Sequence, residues 1–372
     1  MGDGPSDVVV VGAGVVGCAV AYELARRGAS VQIVDERSVG MGATQASAGV
    51  LAPYIEAGEN GPFLDLTVRG LRVFDDFIAR VTADSGVPVA YHRTGTLAVV
   101  TDADRMTALR NLAARLEARG VSLGLLEGNA AHAEEPHLAD DVTGALLVPV
   151  HGFVGAVDLT RALAAAARRH GAQVVEHSRV RRIAPQDSDV VVETERGSLT
   201  GNAVVLAAGS WCGRIAIEGV QPPPVRPVRG QLLHLGWNGS PLRRVVWGDR
   251  CYLVPWDDGT LLVGATVEDA GFDERVTAAG VRDLLEAACD LVPHAWAATF
   301  IGARVGLRPA TSDGFPIIGP SGVVPNLMYA TGHYRNGVLL APLTAQLLAD
   351  TMMEGQVVDP VLRATDPSRF GL

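Results

Sequence analysis

The chain has 372 residues, 48% of them apolar and 19% charged, which excludes a disordered or fibrous protein and leaves room for one large domain or two intertwined ones. A formal charge of −10 and a pI near 5.4 argue against nucleic acid as the main partner; the densest basic stretch, 179–182, holds only three arginines. The four cysteines (Cys18, Cys212, Cys251, Cys289) lie far apart, with no CxxC and no Cys/His pair at metal spacing, so no metal is expected; Cys18, inside an apolar helical run, reads as a buried free thiol, and nothing points to an oxidising compartment.

The N-terminus shows no basic segment followed by an apolar run, and no apolar stretch reaches the roughly 18 residues that span a bilayer. MGDGPS fits a myristoylation pattern in form only, with Asp3 and Pro5 against it, and is read as chance. A cytoplasmic protein without a membrane partner is expected. Residues 7–11 (DVVVV) form a β-branched run of buried-strand type, followed by Gly12-Ala13-Gly14-Val15-Val16-Gly17 and an alanine-rich helix to about Arg27. Gly28 ends that helix, and a second strand over 31–34 closes on Asp35 and Glu36.

Further on, the patterns predict helices over 64–81 and 102–119 and a strand over 96–100. A helix over 158–170 is predicted with Asp158 as its N-cap and Gly171 as its stop. Strands follow near Val174 and Val190, and 203–208 (AVVLAA) reads as a buried strand ending at Gly209. Gln221-Pro222-Pro223-Pro224 is the best linker candidate. Beyond it, closely spaced strands at 230–235, 251–254 and 261–265 point to an antiparallel sheet. Helix 281–291, strand 327–330 and a final helix 338–353 complete the chain. Segments of α/β type therefore flank β-rich ones, as in a two-domain protein whose chain crosses between domains more than once.

The GxGxxG at Gly12, Gly14 and Gly17 carries weight because it follows a strand, opens a helix and has an acid ending the next strand. Gly12 permits the tight turn, Gly14 lets backbone approach a pyrophosphate, and Gly17 lets helix and strand pack closely. The helix N-terminus offers N–H groups and positive potential to phosphate, and Asp35 is placed for ribose hydroxyls. The motif does not separate FAD from NAD, while the acid disfavours NADP.

Three further segments carry a resemblance. Gly42-Ala43-Thr44-Gln45-Ala46-Ser47-Ala48-Gly49-Val50-Leu51-Ala52-Pro53 resembles the flavin-contacting loop of the D-amino acid oxidase superfamily. Gly306-Leu307-Arg308-Pro309-Ala310-Thr311-Ser312-Asp313-Gly314 resembles its GLRP segment. Gly332-His333-Tyr334-Arg335-Asn336-Gly337-Val338-Leu339-Leu340-Ala341-Pro342 closely resembles the glycine oxidases of thiamine biosynthesis, and DPSRF at 366–370 fits as well.

The resemblance implies an α/β protein with a Rossmann-like, glutathione-reductase-like FAD-binding domain (1–85, 150–220 and 300–372). This is interleaved with an α+β substrate domain on an antiparallel sheet (86–149 and 221–299). It implies non-covalent FAD held by Gly12, Gly14, Val15, Val16, Gly17, Asp35 and Glu36, by Ala43, Thr44, Ala46, Ser47, Ala48, Gly49 and Val50, and by Val180, Gly209, Gly306 and Arg308. His333, Tyr334, Arg335, Asn336, Gly337 and Val338 complete that set. The activity implied is oxidative deamination of a small amino acid, glycine first. Hydride transfer to FAD gives an imine, then an oxo-acid and ammonia, with O2 reduced to H2O2. A homotetramer is implied as well.

A bidentate arginine suits the substrate carboxylate on chemical grounds, and Arg308 matches the family's arginine. Tyr252 matches the family tyrosine that reaches the same carboxylate, a role that its strand pattern alone does not suggest. Arg335-Asn336-Gly337 precedes the last helix, whose N-terminus would set positive potential beside the flavin. No acid–base pair is required in this scheme, and His333 is expected to be structural or flavin-adjacent. The chain departs from the pattern at Arg250, Val267 and Arg304. Of these, Arg250 and Val267 are taken as substrate-pocket candidates, and the extra arginines either accept a more acidic substrate or pair with Asp249 or Glu268. The alternatives are a sarcosine, D-amino acid or proline oxidase or dehydrogenase of the same fold, an NAD-dependent dehydrogenase, and a non-catalytic flavoprotein module.

Overall fold

The β-branched run forms β1 (Ser6–Val11) at the centre of a sheet because both its faces are covered, and Val9 and Val10 are fully buried. Each such side chain contributes about 1.5–3 kcal/mol by leaving water. The structure, a computed structural model, describes residues 6–56, 61–186, 189–355 and 359–372; residues 1–5 of the myristoylation-like segment lie outside them. Helix α1 (Val15–Arg26) follows, with Gly28 at φ +100 just past its end, and β2 (Val31–Val34) returns parallel to β1. On its other side β1 pairs in parallel with Gly197–Leu206, which itself pairs in parallel with Leu327–Thr331.

Among the described residues this is a nine-stranded sheet, and an antiparallel meander through Val180–Pro185 and Val190–Thr194 leads into its middle. Helix α1 lies between the sheet and helices Ala156–Arg169 and Gly337–Glu354. An eight-stranded second sheet runs in the order Thr299–Ala310, Arg226–Gly236, Thr260–Gly264, Tyr252–Pro255, Val245–Trp247, Thr96–Val100, Gly144–Val148, Gly124–Glu127. It is antiparallel as expected, apart from the parallel pairing of Val245–Trp247 with Thr96–Val100. Helix Ala278–Leu291 covers one face. The expected linker leads into Arg226–Gly236.

Several expectations change in detail. The helix read over 64–81 is two helices, Pro62–Arg72 and Phe74–Ser85. They part at Val73 because the first packs on Gly337–Glu354 and the second on Ala156–Arg169. Asp158 is not an N-cap: the helix starts two residues earlier, after Gly155, and Asp158 stands in its first turn, where a carboxylate complements the helix end. Strand Thr299–Ala310 pairs along its length with Arg226–Gly236, so residues 300–310, assigned from sequence to the FAD domain, lie in the second sheet. All four cysteines are buried and free. Among the described residues no helix is long and apolar enough to cross a membrane, and no cluster suited to a metal ion occurs.

Candidate active site

One elongated cavity runs between the two sheets, from the end of β2 past the start of α1 to the end of strand Thr299–Ala310. At its centre is the glycine turn. Gly12 has φ +111, and a Cβ there would stand 2.5 Å from the Ala207 carbonyl oxygen. A Cβ on Gly17 would overlap the Gly12 carbonyl, so this glycine sets how closely helix meets strand. Gly14 is different: a Cβ there meets only Thr44 Oγ1, at 3.6 Å, and the position lines the cavity. The N-cap Gly14 has no side chain to cap α1 and the first turn holds no acid; Thr44 Oγ1 accepts from Val15 N (3.1 Å), and the positive end of the helix faces the cavity. This cradle fits a dinucleotide pyrophosphate.

At the β2 end, Asp35 accepts hydrogen bonds from Ala13 N (2.6 Å) and Arg37 N (2.7 Å), which brace the glycine turn. Burial raises its carboxyl, and the two backbone donors act against that rise. Asp35, Glu36 and Val180 all line the cavity, which fits a ribose and its base. Arg37 lines it too. Its guanidinium pairs with both oxygens of Glu274 (2.9 and 2.6 Å) and lies 4.6 Å from the Trp211 ring. Arg214 stacks 3.5 Å over Phe272. The segment around 272–274, an excursion from the second sheet, is thereby clasped across the nucleotide end.

At the other end, the turn Ala43–Ala46 packs against Gly306, where a Cβ would come within 3.0 Å of Ala46 Cβ. Gln45 Nε2 donates to Val305 O (2.6 Å), Ser210 Oγ to Leu307 O (2.9 Å), and Tyr334 N to Pro309 O (2.9 Å). Residues 305–309 are thus tied to both halves of the molecule, and Arg308 projects between them. Its Nη1 donates to Thr266 O (3.0 Å) and Arg229 O (3.3 Å), and no carboxylate pairs with it among the described residues. The guanidinium lies over Gly230, whose missing side chain makes room for it. Burial lowers its pKa, offset by Tyr252, Tyr334 and Glu56; a guanidinium stays charged.

The Tyr252 ring lies against Gly264, where a Cβ would sit 2.6 Å from its hydroxyl, and packs at a tilt of 34° on Trp247, with ring centroids 5.0 Å apart. Burial pushes its hydroxyl up to about 12, so it is neutral and able to donate. Arg335 lines the cavity with its guanidinium 5.3 Å from the Tyr334 ring. Tyr334 itself has φ +50, a left-handed conformation rare outside glycine and concentrated at functional sites.

The cavity thus brings together Gly12, Gly14, Val15, Val16, Asp35, Glu36, Ala43, Thr44, Ala46, Ser47, Ala48, Gly49, Val50, Val180, Gly209, Tyr252, Gly306, Arg308, His333, Tyr334, Arg335, Gly337 and Val338. Gly17 and Asn336 stand just behind its wall; Asn336 is buried at the start of the last helix without a side-chain capping bond. His333 is buried, bonded to Thr344 Oγ1 (3.0 Å), and held neutral by burial with a pKa near 3, which makes it a poor base for a substrate.

Two substrate candidates lie elsewhere. Arg250 is 53% exposed and pairs with Asp290, neither of the partners anticipated, since Glu268 holds Arg229 and Asp249 holds Arg105. Val267 is 54% exposed and lines no part of the cavity. Arg304 donates to Gln45 O (3.4 Å), behind the Ala43–Ala46 turn. Sequence reasoning missed Glu56, Arg37, Trp211 and Arg214 on the cavity wall. It also missed Gly230 and Gly264, the clearances for Arg308 and Tyr252. A glycine inside a strand facing a long polar side chain is the one signal that pointed to the last two.

The family model described as FAD dependent oxidoreductase (DAO) matches residues 7–351. The bifunctional protein ThiO/ThiG of Nostoc sp. (strain PCC 7120 / SAG 25.82 / UTEX 2576) is 37% identical over 362 residues, covering 96% of this chain but 54% of that protein. The chain therefore spans about half the length of this bifunctional relative. The glycine oxidase of Geobacillus kaustophilus (strain HTA426) is 34% identical over 346 residues, 92% of each chain. The crystal structure of glycine oxidase from Geobacillus kaustophilus superposes with a TM-score of 0.93 at 32% identity, over 98% of this chain and 99% of that one.

Proposed function

The chain belongs to the DAO family of FAD-dependent oxidoreductases, and from that premise we propose that it oxidises the carbon–nitrogen bond of glycine, with O2 as electron acceptor. The observation that carries the reading is the placing of Arg308 and Tyr252 in the cavity that holds the glycine turn. The arginine lacks a carboxylate partner among the described residues, and the hydroxyl is free to donate. A substrate carboxylate satisfies both, through the planar fork and one neutral donor.

The residues fit FAD. The Gly12–Gly17 turn and the start of α1 would hold its pyrophosphate, Asp35 and Glu36 its ribose, and residues 43–50 and 333–338 its ring system. Bound FAD supplies a two-electron acceptor for the α carbon and passes the electrons on to O2. The protein's own work is positional. Arg308 and Tyr252 fix the carboxylate and so orient the α carbon, and the Ala43–Ala46 turn closes the wall beside it. The last helix, Gly337–Glu354, begins at the cavity and turns its positive end toward charge that collects there. The imine product hydrolyses to an oxo-acid and ammonia.

The purified protein is expected to carry flavin and to convert glycine in air to equal amounts of H2O2, ammonia and oxo-acid. Turnover that needs an added dye and yields no peroxide would make it a dehydrogenase. Turnover of sarcosine, D-alanine or D-proline but not glycine would keep the chemistry and move the substrate. The clasp across the nucleotide end belongs to the same reading. Glu274→Ala is expected to speed FAD release by about tenfold, equal to ~1.4 kcal/mol, from the loss of a bidentate, half-exposed pair. The fluorescence of released flavin measures it, and an unchanged rate would remove the clasp from cofactor retention.

A further inference from the structure

A second acidic feature of the cavity has no part in holding a carboxylate or a dinucleotide. Glu56 ends the short helix Pro53–Glu56, directly after the residues placed against the flavin. Its backbone N–H bonds to Ala52 O (3.1 Å). Two residues earlier, Tyr54 N donates to His151 Nε2 (3.3 Å) and the Tyr54 ring stacks on His151 at 5.5 Å, so the helix is fixed in place. The side chain lines the cavity with Tyr252, Arg308 and Arg335, and it has no hydrogen bond or ion pair among the described residues.

The charged and titratable groups facing Glu56 are Arg335, ahead of the last helix, Arg308, on strand Thr299–Ala310, and Tyr252, on strand Tyr252–Pro255. Desolvation by the surrounding protein pushes its carboxyl up to about 7, against the pull of the two arginines. A carboxylate in that setting without a partner is costly unless a ligand completes it. An amino acid carries a carboxylate and an ammonium on one carbon. If Arg308 and Tyr252 take the first, the cavity's single acid among these four groups remains for the second.

We propose that Glu56 binds the substrate ammonium and takes its proton, delivering glycine to the flavin as the neutral amine. This rests on the amino-acid-oxidase reading and goes beyond the expectation that the reaction needs no acid–base group. In the step, a carboxylate oxygen of Glu56 forms a bond to one ammonium hydrogen, the N–H bond breaks, and its electron pair stays on nitrogen. The products are a neutral carboxyl and a free amine. That lone pair is what C=N formation requires when the α-hydrogen leaves. The arginines favour the transfer on the substrate side because their positive potential makes an ammonium more acidic. The desolvated carboxyl favours it on the protein side.

The experiment uses the FAD-loaded protein, with Glu56→Gln and Glu56→Asp beside the wild type. Acetate, a carboxylate without an ammonium, is titrated against the flavin absorbance, and kcat/KM for glycine is followed from pH 6 to 10. Glu56→Gln is expected to bind acetate as well as or better than wild type, since a negative charge has gone. It is expected to lose roughly a hundredfold in kcat/KM near neutral pH, in the range of a lost general base. Its acid limb near 7 should vanish, replaced by a rise that continues toward the pKa of the free amine. Glu56→Asp should restore the acid limb.

An unchanged profile in Glu56→Gln would overturn the proposal. Parallel loss of acetate binding and glycine turnover would also overturn it, because Glu56 would then be shaping the site and not acting on the ammonium. Failure of the wild type itself to react with glycine would instead sink the substrate reading.

Discussion

Arg308→Leu is expected to lower kcat/KM for glycine by about 10²–10³-fold while FAD stays bound, a loss of ~3–4 kcal/mol in the range for removing one partner of a desolvated charge pair. The side chain makes two bonds to backbone carbonyls and forms an ion pair with no protein carboxylate among the described residues, so its charge is available to a ligand. Cofactor retention should survive because the pyrophosphate cradle is the glycine turn at the centre of the cavity, whereas Arg308 stands on strand Thr299–Ala310 at its end. Arg308→Lys is expected to recover little, since a point charge cannot reproduce the fork. The discriminating readout is acetate binding, which should weaken in step with glycine turnover. Normal acetate affinity in Arg308→Leu would mean that the carboxylate is held elsewhere, with Arg335 the next residue to test.

The second large effect concerns the glycine turn. Gly14→Val is expected to give a folded protein whose FAD affinity has fallen by about a hundredfold or more, ~3 kcal/mol at the upper end of overpacking costs. The reason is local. A Cβ at Gly14 meets the protein only at Thr44 Oγ1, 3.6 Å away, and otherwise intrudes on the cavity. Gly17→Val makes the contrast, because its Cβ overlaps the Gly12 carbonyl and must push α1 off β1. That variant should lose cooperative unfolding and not merely flavin. Circular dichroism melts beside flavin content separate the two, and a Gly14→Val protein that keeps full flavin would rule out pyrophosphate at this turn.

The parts of the molecule legible in sequence are those fixed by neighbours along the chain. β1, α1 and β2 are readable because a β-branched run, three spaced glycines and an acid at Asp35 each impose a local conformation. Arg308 and Tyr252 are readable only through the resemblance of their segments, since an arginine or tyrosine on a strand has many uses. What escaped depends on distant partners. Glu56 follows the flavin loop with nothing local to distinguish it from a solvated acid; its character comes from desolvation in a cavity that it shares with Arg308 and Arg335, both far along the chain. The Arg37–Glu274 pair joins two sheets, and neither residue signals the other. Arg250 illustrates the converse error: a departure from the family pattern two residues before Tyr252 stands in the bend ahead of strand Tyr252–Pro255, outside its alternation, and its exposed side chain ends on Asp290.

The central claim is that this cavity presents the α carbon of a small amino acid to FAD, and the anaerobic flavin spectrum tests it most directly. On adding glycine without oxygen, the oxidised flavin band is expected to bleach rapidly and to return when air is admitted. A band that stays unchanged with glycine, sarcosine, D-alanine and D-proline alike would contradict the account, leaving an FAD-binding fold whose reaction lies elsewhere.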